Sequence, residues 1–252
     1  MKPRLVTIRF SHFCEKARWA LQRAGVEFDE EFHAPVLHVP AVKKAGGKRT
    51  TPVLVLPDRI LADSTDILHW ADEHGARLYP SDPAARARVE AWEDLFDEKL
   101  GPATRRLAYF LIFQTPRAYV MPTMLAAASG PGERRLLGPL YPLIRFAMRK
   151  SMNIYAKPAE RSAAVIEEVC SKVEAALADG RSFLEGDTLT AADVTFAALF
   201  APMLGPPNYG APMPGFLDVP APFAPVREAM TARPAGQFAA RLYRDHRDVV
   251  LR

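Results

Sequence analysis

Residues 5–32 constrain the fold more than any other part of the chain. Leu5-Val6-Thr7-Ile8-Arg9-Phe10 is a largely β-branched and apolar run suited to a strand. Cys14, Ala17, Leu21 and Ala24 then recur at helical spacing until Gly25 stops the pattern. Glu27-Phe28-Asp29-Glu30-Glu31-Phe32 follows with partly alternating aromatics, as a half-buried second strand requires. The chain therefore starts strand–helix–strand. At its first junction stands Ser11-His12-Phe13-Cys14. The first turn of a helix offers unpaired N–H groups and a positive dipole end, so a hydroxyl or thiol placed there sits where a thiolate is stabilised.

The Ser11-x-x-Cys14 spacing matches the Cys-x-x-Cys turn of thioredoxin-like domains with its first cysteine replaced, so no disulfide closes across it. Cys14 also lies on the Ala17/Leu21 stripe, which favours burial over reactivity. Further on, Thr51-Pro52 precedes the apolar run Val53-Leu54-Val55-Leu56, and Pro57-Asp58 turns the chain into Ile60-Leu61-Ala62. Asp63 is an N-cap for the next amphipathic stretch, Ser64 to Ala71, and the free amides of its first turn suit a carboxylate. Lys43, Lys44, Lys48 and Arg49 crowd the segment before Pro52, and Lys48 is preferred among the lysines as an anion partner because it lies nearest the Thr51-Pro52 corner.

After Leu78-Tyr79-Pro80-Ser81-Asp82-Pro83 the pattern becomes helical, with Val89, Trp92 and Phe96 on one face, and a domain boundary falls near residue 82. The expected organisation is a domain over 1–80, a linker over 81–87 and an all-helical domain over 88–252. Thr190 and Asp193 form a Thr-x-x-acid cap before an apolar helix and are read as structural. Residues 101–160 carry apolar blocks broken by Pro116, Pro122, Gly130, Pro131, Pro139 and Pro142, none near the ~20 apolar residues of a membrane span. This expansion reads either as helices lining a pocket or, through Leu140, Leu143, Ile144 and Phe146 with Arg145, Arg149 and Lys150, as a basic amphipathic surface for a membrane or protein. Core and pocket are preferred. Tyr243 and Arg244 are read as packing residues of a terminal helix, with closure over a pocket as the alternative.

The order of these motifs over residues 5–80 resembles the N-terminal domain of cytosolic glutathione transferases, and Thr190-x-x-Asp193 resembles an element of their helical domain. The resemblance implies an α/β thioredoxin-like N-terminal domain plus an all-α C-terminal domain. It implies a cis Pro52, glutathione held by Phe13, Thr51, Pro52, Asp63 and Ser64 together with Lys48, and thiol activation by Ser11. Phe10 stands where tyrosine-type members carry their hydroxyl and Ser11 where others carry cysteine, so the chain resembles the serine-type members. His12 departs from the family's frequent proline. The activity implied is detoxifying conjugation of the glutathione thiolate to a small apolar electrophile, by a homodimer. A hydroxyl donating to sulfur lowers a thiol pKa of ~8.5, and each unit requires about 1.4 kcal/mol.

Two alternatives stay open: a glutathione-dependent thiol reductase or peroxidase using Cys14 as a redox thiol, and a non-catalytic adaptor of the same fold that binds a protein partner. The two cysteines, Cys14 and Cys170, give no disulfide framework, and the His and Cys residues lack metal-ligand spacing, so no metal is expected. A net charge of +4 over 252 residues, without basic patches interleaved with aromatics, argues against nucleic acid and suits small anions. The first strand begins almost at once, which gives the expectation of a cytoplasmic protein without a signal peptide.

Overall fold

The computed structural model describes residues 2–115, 124–211 and 222–251. Its first domain is built on a four-stranded sheet of order β2-β1-β3-β4. β1 (Arg4–Thr7) runs parallel to β2 (Asp29–Phe32), with Val6 opposite Glu31. β3 (Val53–Val55) lies antiparallel to β1, with Val6 opposite Val53, and β4 (Ile60–Leu61) closes a hairpin on β3. The parallel β1–β2 pair requires a crossover, and α1 (His12–Arg23) supplies it. Gly25 ends that crossover in the left-handed region at φ +67°. α2 (His38–Lys44) and α3 (Ser64–Ala71) complete the domain.

The first strand is shorter than its sequence suggests. Pairing ends at Thr7, and the Ser11 amide donates to the Ile8 carbonyl at 2.9 Å, turning the chain into α1. Arg9 and Phe10 are thereby freed from the ladder. The Arg9 guanidinium lies 3.6 Å above the Phe32 ring, and Phe10 meets Tyr109 of the second domain edge-on at 6.4 Å.

The second domain opens at α4 (Pro83–Leu95), whose N-cap Asp82 accepts from the Ala85 amide at 2.8 Å and whose first residue is a proline. Residues 83–87, expected to be linker, are therefore helix. A wide turn, Phe96–Leu100, carries α4 into α5 (Gly101–Ile112). α6 (Pro131–Ser151), α7 (Ala156–Ala176), α8 (Ala191–Leu204), α9 (Ala224–Ala232) and α10 (Pro234–His246) follow. α8 is the axle of the molecule: apart from Pro202 all its residues are buried, and it packs against α1, α4, α5, α9 and α10. Its start is a capping box between Thr190 and Asp193, and Asp193 also accepts from the Leu184 amide at 2.9 Å. Burial pushes the Asp193 carboxyl up to about 6 despite these donors.

Pro139 and Pro142 do not break the chain as their positions suggest. They sit inside the continuous helix α6, and both face solvent, so neither ring is forced into the packed side of the helix. Pro116, Tyr119–Met121 and Pro122 lie outside the described residues. Tyr243 is buried against Trp19 at 4.9 Å, and Arg244 is exposed and paired with Asp245, so the end of α10 is packing and not a cover for a pocket. Among the described residues no helix is long and apolar enough to cross a membrane.

Candidate active site

Ser11 is the N-cap of α1 in extended conformation (φ −73°, ψ 122°), and its Oγ accepts from the Cys14 amide at 3.4 Å. A hydroxyl that accepts a cap bond keeps its own proton to donate. Beside it is the Thr51–Pro52 corner, whose peptide bond is cis. Ser11, Phe13 and Thr51 stand together on the wall of a cavity of about 890 Å³ between the two domains. Pro52, Asp63 and Ser64 are not on that wall. Pro52 is buried behind the corner, Ser64 is buried at the start of α3, and Asp63 is exposed, its Oδ1 accepting from the Thr65 amide at 2.8 Å.

Lys48 is exposed and does not line the cavity; Arg49, its neighbour, does. His38 of α2 also lines it and donates through Nε2 to the Arg49 carbonyl at 2.9 Å, which braces the 49–51 corner. Burial lowers the His38 pKa, so the imidazole is neutral near pH 7.

Cys14 is fully buried one turn behind Ser11. Burial pushes its thiol up, and the weaker pull of Arg18 and of the Thr51 and Ser11 hydroxyls does not reverse this. It faces the core at neutral pH as a thiol. Cys170 is likewise buried, and its pKa is pushed up to about 12.

The opposite wall belongs to the helical domain. Arg105, Ala108, Tyr109 and Ile112 line the cavity at i, i+3, i+4 and i+7 of α5, one face of one helix. Leu143, Phe146 and Ala147 of α6 contribute apolar surface across the mouth. Leu143 and Phe146 are each 63 % exposed, and their position on the open cavity accounts for that exposure. The i, i+3, i+4, i+7 spacing of the α5 residues is visible in the sequence. It escapes notice there because the surrounding residues read as undifferentiated apolar core.

His12 couples the walls. It is buried, and its Nε2 donates to the Gly101 carbonyl at 2.8 Å, where α5 begins. Burial, reinforced by the Arg105 charge, pushes its pKa down to about 3, so the ring is neutral and its tautomer fixed by that bond. Gly101 also lets the neighbouring Phe13 ring pack against α5: a Cβ there would lie 2.6 Å from Cζ of Phe13. His12 thus ties the first turn of α1 to the second domain.

With this geometry in place, comparison with known proteins gives a consistent result. The sequence model described as "Glutathione S-transferase, N-terminal domain" matches residues 5–77. A beta-etherase from Sphingobium sp. strain SYK-6 is similar in structure at TM-score 0.59 and 18% identity, over 95% of this chain and 98% of that one. A glutathione S-transferase from Xanthobacter autotrophicus Py2 matches at TM-score 0.59 and 19% identity, over 96% and 93%. A theta class glutathione S-transferase from Xanthomonas axonopodis pv. citri, solved with glutathione bound, matches at TM-score 0.57 and 18% identity, over 94% and 96%. The chain has the glutathione transferase fold. Its thioredoxin-like N-terminal domain and all-helical C-terminal domain are arranged as in that architecture.

Proposed function

We propose that this protein is a glutathione transferase of the serine type, using the cavity between its domains for both substrates. The observation that carries the reading is the placement of Ser11: a hydroxyl at the N-terminus of α1, next to the cis Thr51–Pro52 corner, on the wall of a cavity otherwise largely apolar. Thr51 would meet the cysteinyl part of glutathione through its backbone, and Asp63 with Ser64 its γ-glutamyl end. Arg49 is better placed than Lys48 for the glycine carboxylate, because it reaches the cavity and Lys48 does not.

The reaction follows from these parts. The Ser11 hydroxyl donates to the glutathione sulfur, and the α1 dipole favours the same negative charge, so the thiol loses its proton near neutral pH. The thiolate attacks an electrophilic carbon held against the α5 and α6 wall. A C–S bond forms, and the leaving group departs with its bonding pair. Holding both reactants in one cavity contributes as much as ionisation, because it converts an encounter into an intramolecular step.

A redox role for Cys14 is disfavoured by its complete burial and raised pKa. Thermal unfolding with and without millimolar glutathione tests the reading. A ligand at ~100 times its dissociation constant adds about 2.7 kcal/mol, a rise of several degrees. An unchanged midpoint would remove glutathione from the account and favour a non-catalytic adaptor.

A further inference from the structure

Arg105 is set apart by what it lacks. Other enclosed guanidinium groups are answered: Arg18 by Glu30 and Glu15, Arg247 by Glu15 and Gln22, and Arg106 by the Met152 carbonyl and the Ser162 hydroxyl. Arg105 has no ion pair or hydrogen bond with any described residue, and its Nε is enclosed without an acceptor. Burial lowers its pKa, and besides the Tyr109 phenol the group that acts on it is another cation, Arg106. The Phe13 ring lies 6.0 Å from the Arg105 Cζ, at the edge of cation–π range. While Nε is enclosed, the side chain as a whole stays partly exposed on the cavity wall, so its two Nη groups are free to receive an acid entering the cavity.

The surroundings supply no internal anion. Among the described residues lining the cavity there is no aspartate or glutamate. His12, in contact with the same turn, is neutral, and burial holds the Tyr109 phenol protonated, leaving its hydroxyl as a neutral donor one helical turn from Arg105. A carboxylate would thus find a planar two-pronged donor and a hydroxyl on one face of α5, with apolar surface from Ile112, Leu143 and Phe146 for the remainder of the molecule. A cavity of about 890 Å³ accommodates such a molecule beside glutathione.

We propose that Arg105 is an anion-binding residue that selects amphipathic carboxylates, molecules with an apolar body and one acid group, as the second substrate. The acid end pairs with the guanidinium and the electrophilic carbon is presented to the Ser11 side of the cavity. The catalytic part of this statement rests on the transferase reading above; the binding part does not.

Calorimetric titration with 4-phenylbutyrate and its neutral isostere 4-phenylbutanamide, without glutathione, tests the site. The wild-type protein is expected to bind the acid about tenfold more tightly than the amide, the size of one charge-assisted paired contact. In Arg105→Met the acid should fall to the amide's affinity while the amide stays within about twofold, which shows that the cavity is intact. Arg105→Lys, which keeps the charge but loses the fork, should retain part of the preference and covers the case in which the methionine variant does not fold. Arg49→Met should leave the preference in place. Equal affinities for acid and amide in the wild type overturn the proposal. So does a preference that survives Arg105→Met or disappears with Arg49→Met. Because glutathione is absent throughout, an acid preference without any glutathione-induced rise in melting point would sink the transferase reading and leave this site standing.

Discussion

The two places where the domains meet are built differently. At α1 the junction is sealed. Lys16 is fully buried, and its three ammonium protons are met by Glu93 at 2.8 Å, Asp97 at 2.7 Å and Thr65 at 2.9 Å. Burial alone would lower its pKa, but the Glu93 and Asp97 charges outweigh it and the net shift is upward. On the same helix Glu15 accepts from the Gly210 amide and pairs with Arg247 at 2.6 Å, tying the C-terminal segment to α1. At α6 the junction is open. His33, just after β2, bridges Glu31 at 3.0 Å and Glu133 at 2.7 Å, and Glu133 also accepts from the Ala34 amide at 2.9 Å. These side chains remain partly exposed, and Arg4 completes the cluster through Glu31.

The contrast assigns different tasks to the two walls of the cavity. The sealed junction fixes α1, and with it Ser11, relative to Arg105 and Tyr109 of α5, as the proposed chemistry at Ser11 requires. The open junction carries α6, whose Leu143 and Phe146 present exposed apolar surface to the cavity and, on the proposed function, to the second substrate. A contact between half-exposed ionised groups contributes little to stability, whereas a broken buried pair is severe.

The largest expected effect is therefore at the sealed side. Lys16→Met leaves Glu93 and Asp97 facing each other without a cation, and should lower unfolding free energy by about 3–5 kcal/mol in denaturant titration. A loss below about 1 kcal/mol would show that this junction is no stronger than a surface pair. Gly101→Val comes next. The added side chain meets the Phe13 ring and Leu199, and overpacking of this kind costs about 1–3 kcal/mol. It should also reduce activity by displacing Phe13 and the Ser11 turn. Full activity in a destabilised protein would separate the docking of α5 from the chemistry.

The smallest effect is at the open side and depends on pH. Burial draws the His33 pKa down, but hydrogen bonds and charge from Glu31 and Glu133 outweigh it, so the folded value is raised. A raised histidine pKa stabilises the fold fully below its unfolded value of about 6.5, and that contribution fades as pH rises through the folded value. His33→Gln should lower the melting midpoint below about pH 6.5 and match the wild type at alkaline pH. A deficit that is constant across pH would mean that His33 acts through packing and not through charge.

Much of this was legible in the chain. The strand–helix–strand start, the Thr51-Pro52 corner and the Asp63 cap are local patterns in which a few neighbouring residues carry the whole signal. The Thr190/Asp193 box belongs with them, since both partners lie within one turn. The features that escaped join distant residues: His12 with Gly101, Lys16 with Glu93, His33 with Glu133. A lone histidine or lysine on a helix gives no sign of a partner nearly a hundred positions away. The prolines of α6 misled for a different reason. Proline removes an amide donor but does not forbid a helix when its ring lies on the exposed face, and which face is outward depends on how the helix packs. Lys48 is the lysine nearest the Thr51-Pro52 corner in sequence, yet the adjacent Arg49 is the residue that lines the cavity, which spacing along the chain does not reveal.

At the N-terminus of α1, Ser11 is proposed to stabilise a glutathione thiolate. Ultraviolet difference absorbance of the thiolate, recorded across pH for glutathione bound to the wild type and to Ser11→Ala, tests it most directly. The expected result is a bound thiol that ionises at least one unit below the free value of ~8.5 in the wild type and returns toward that value in Ser11→Ala, with glutathione still bound. The same titration curve in both proteins, with glutathione bound to each, would contradict it.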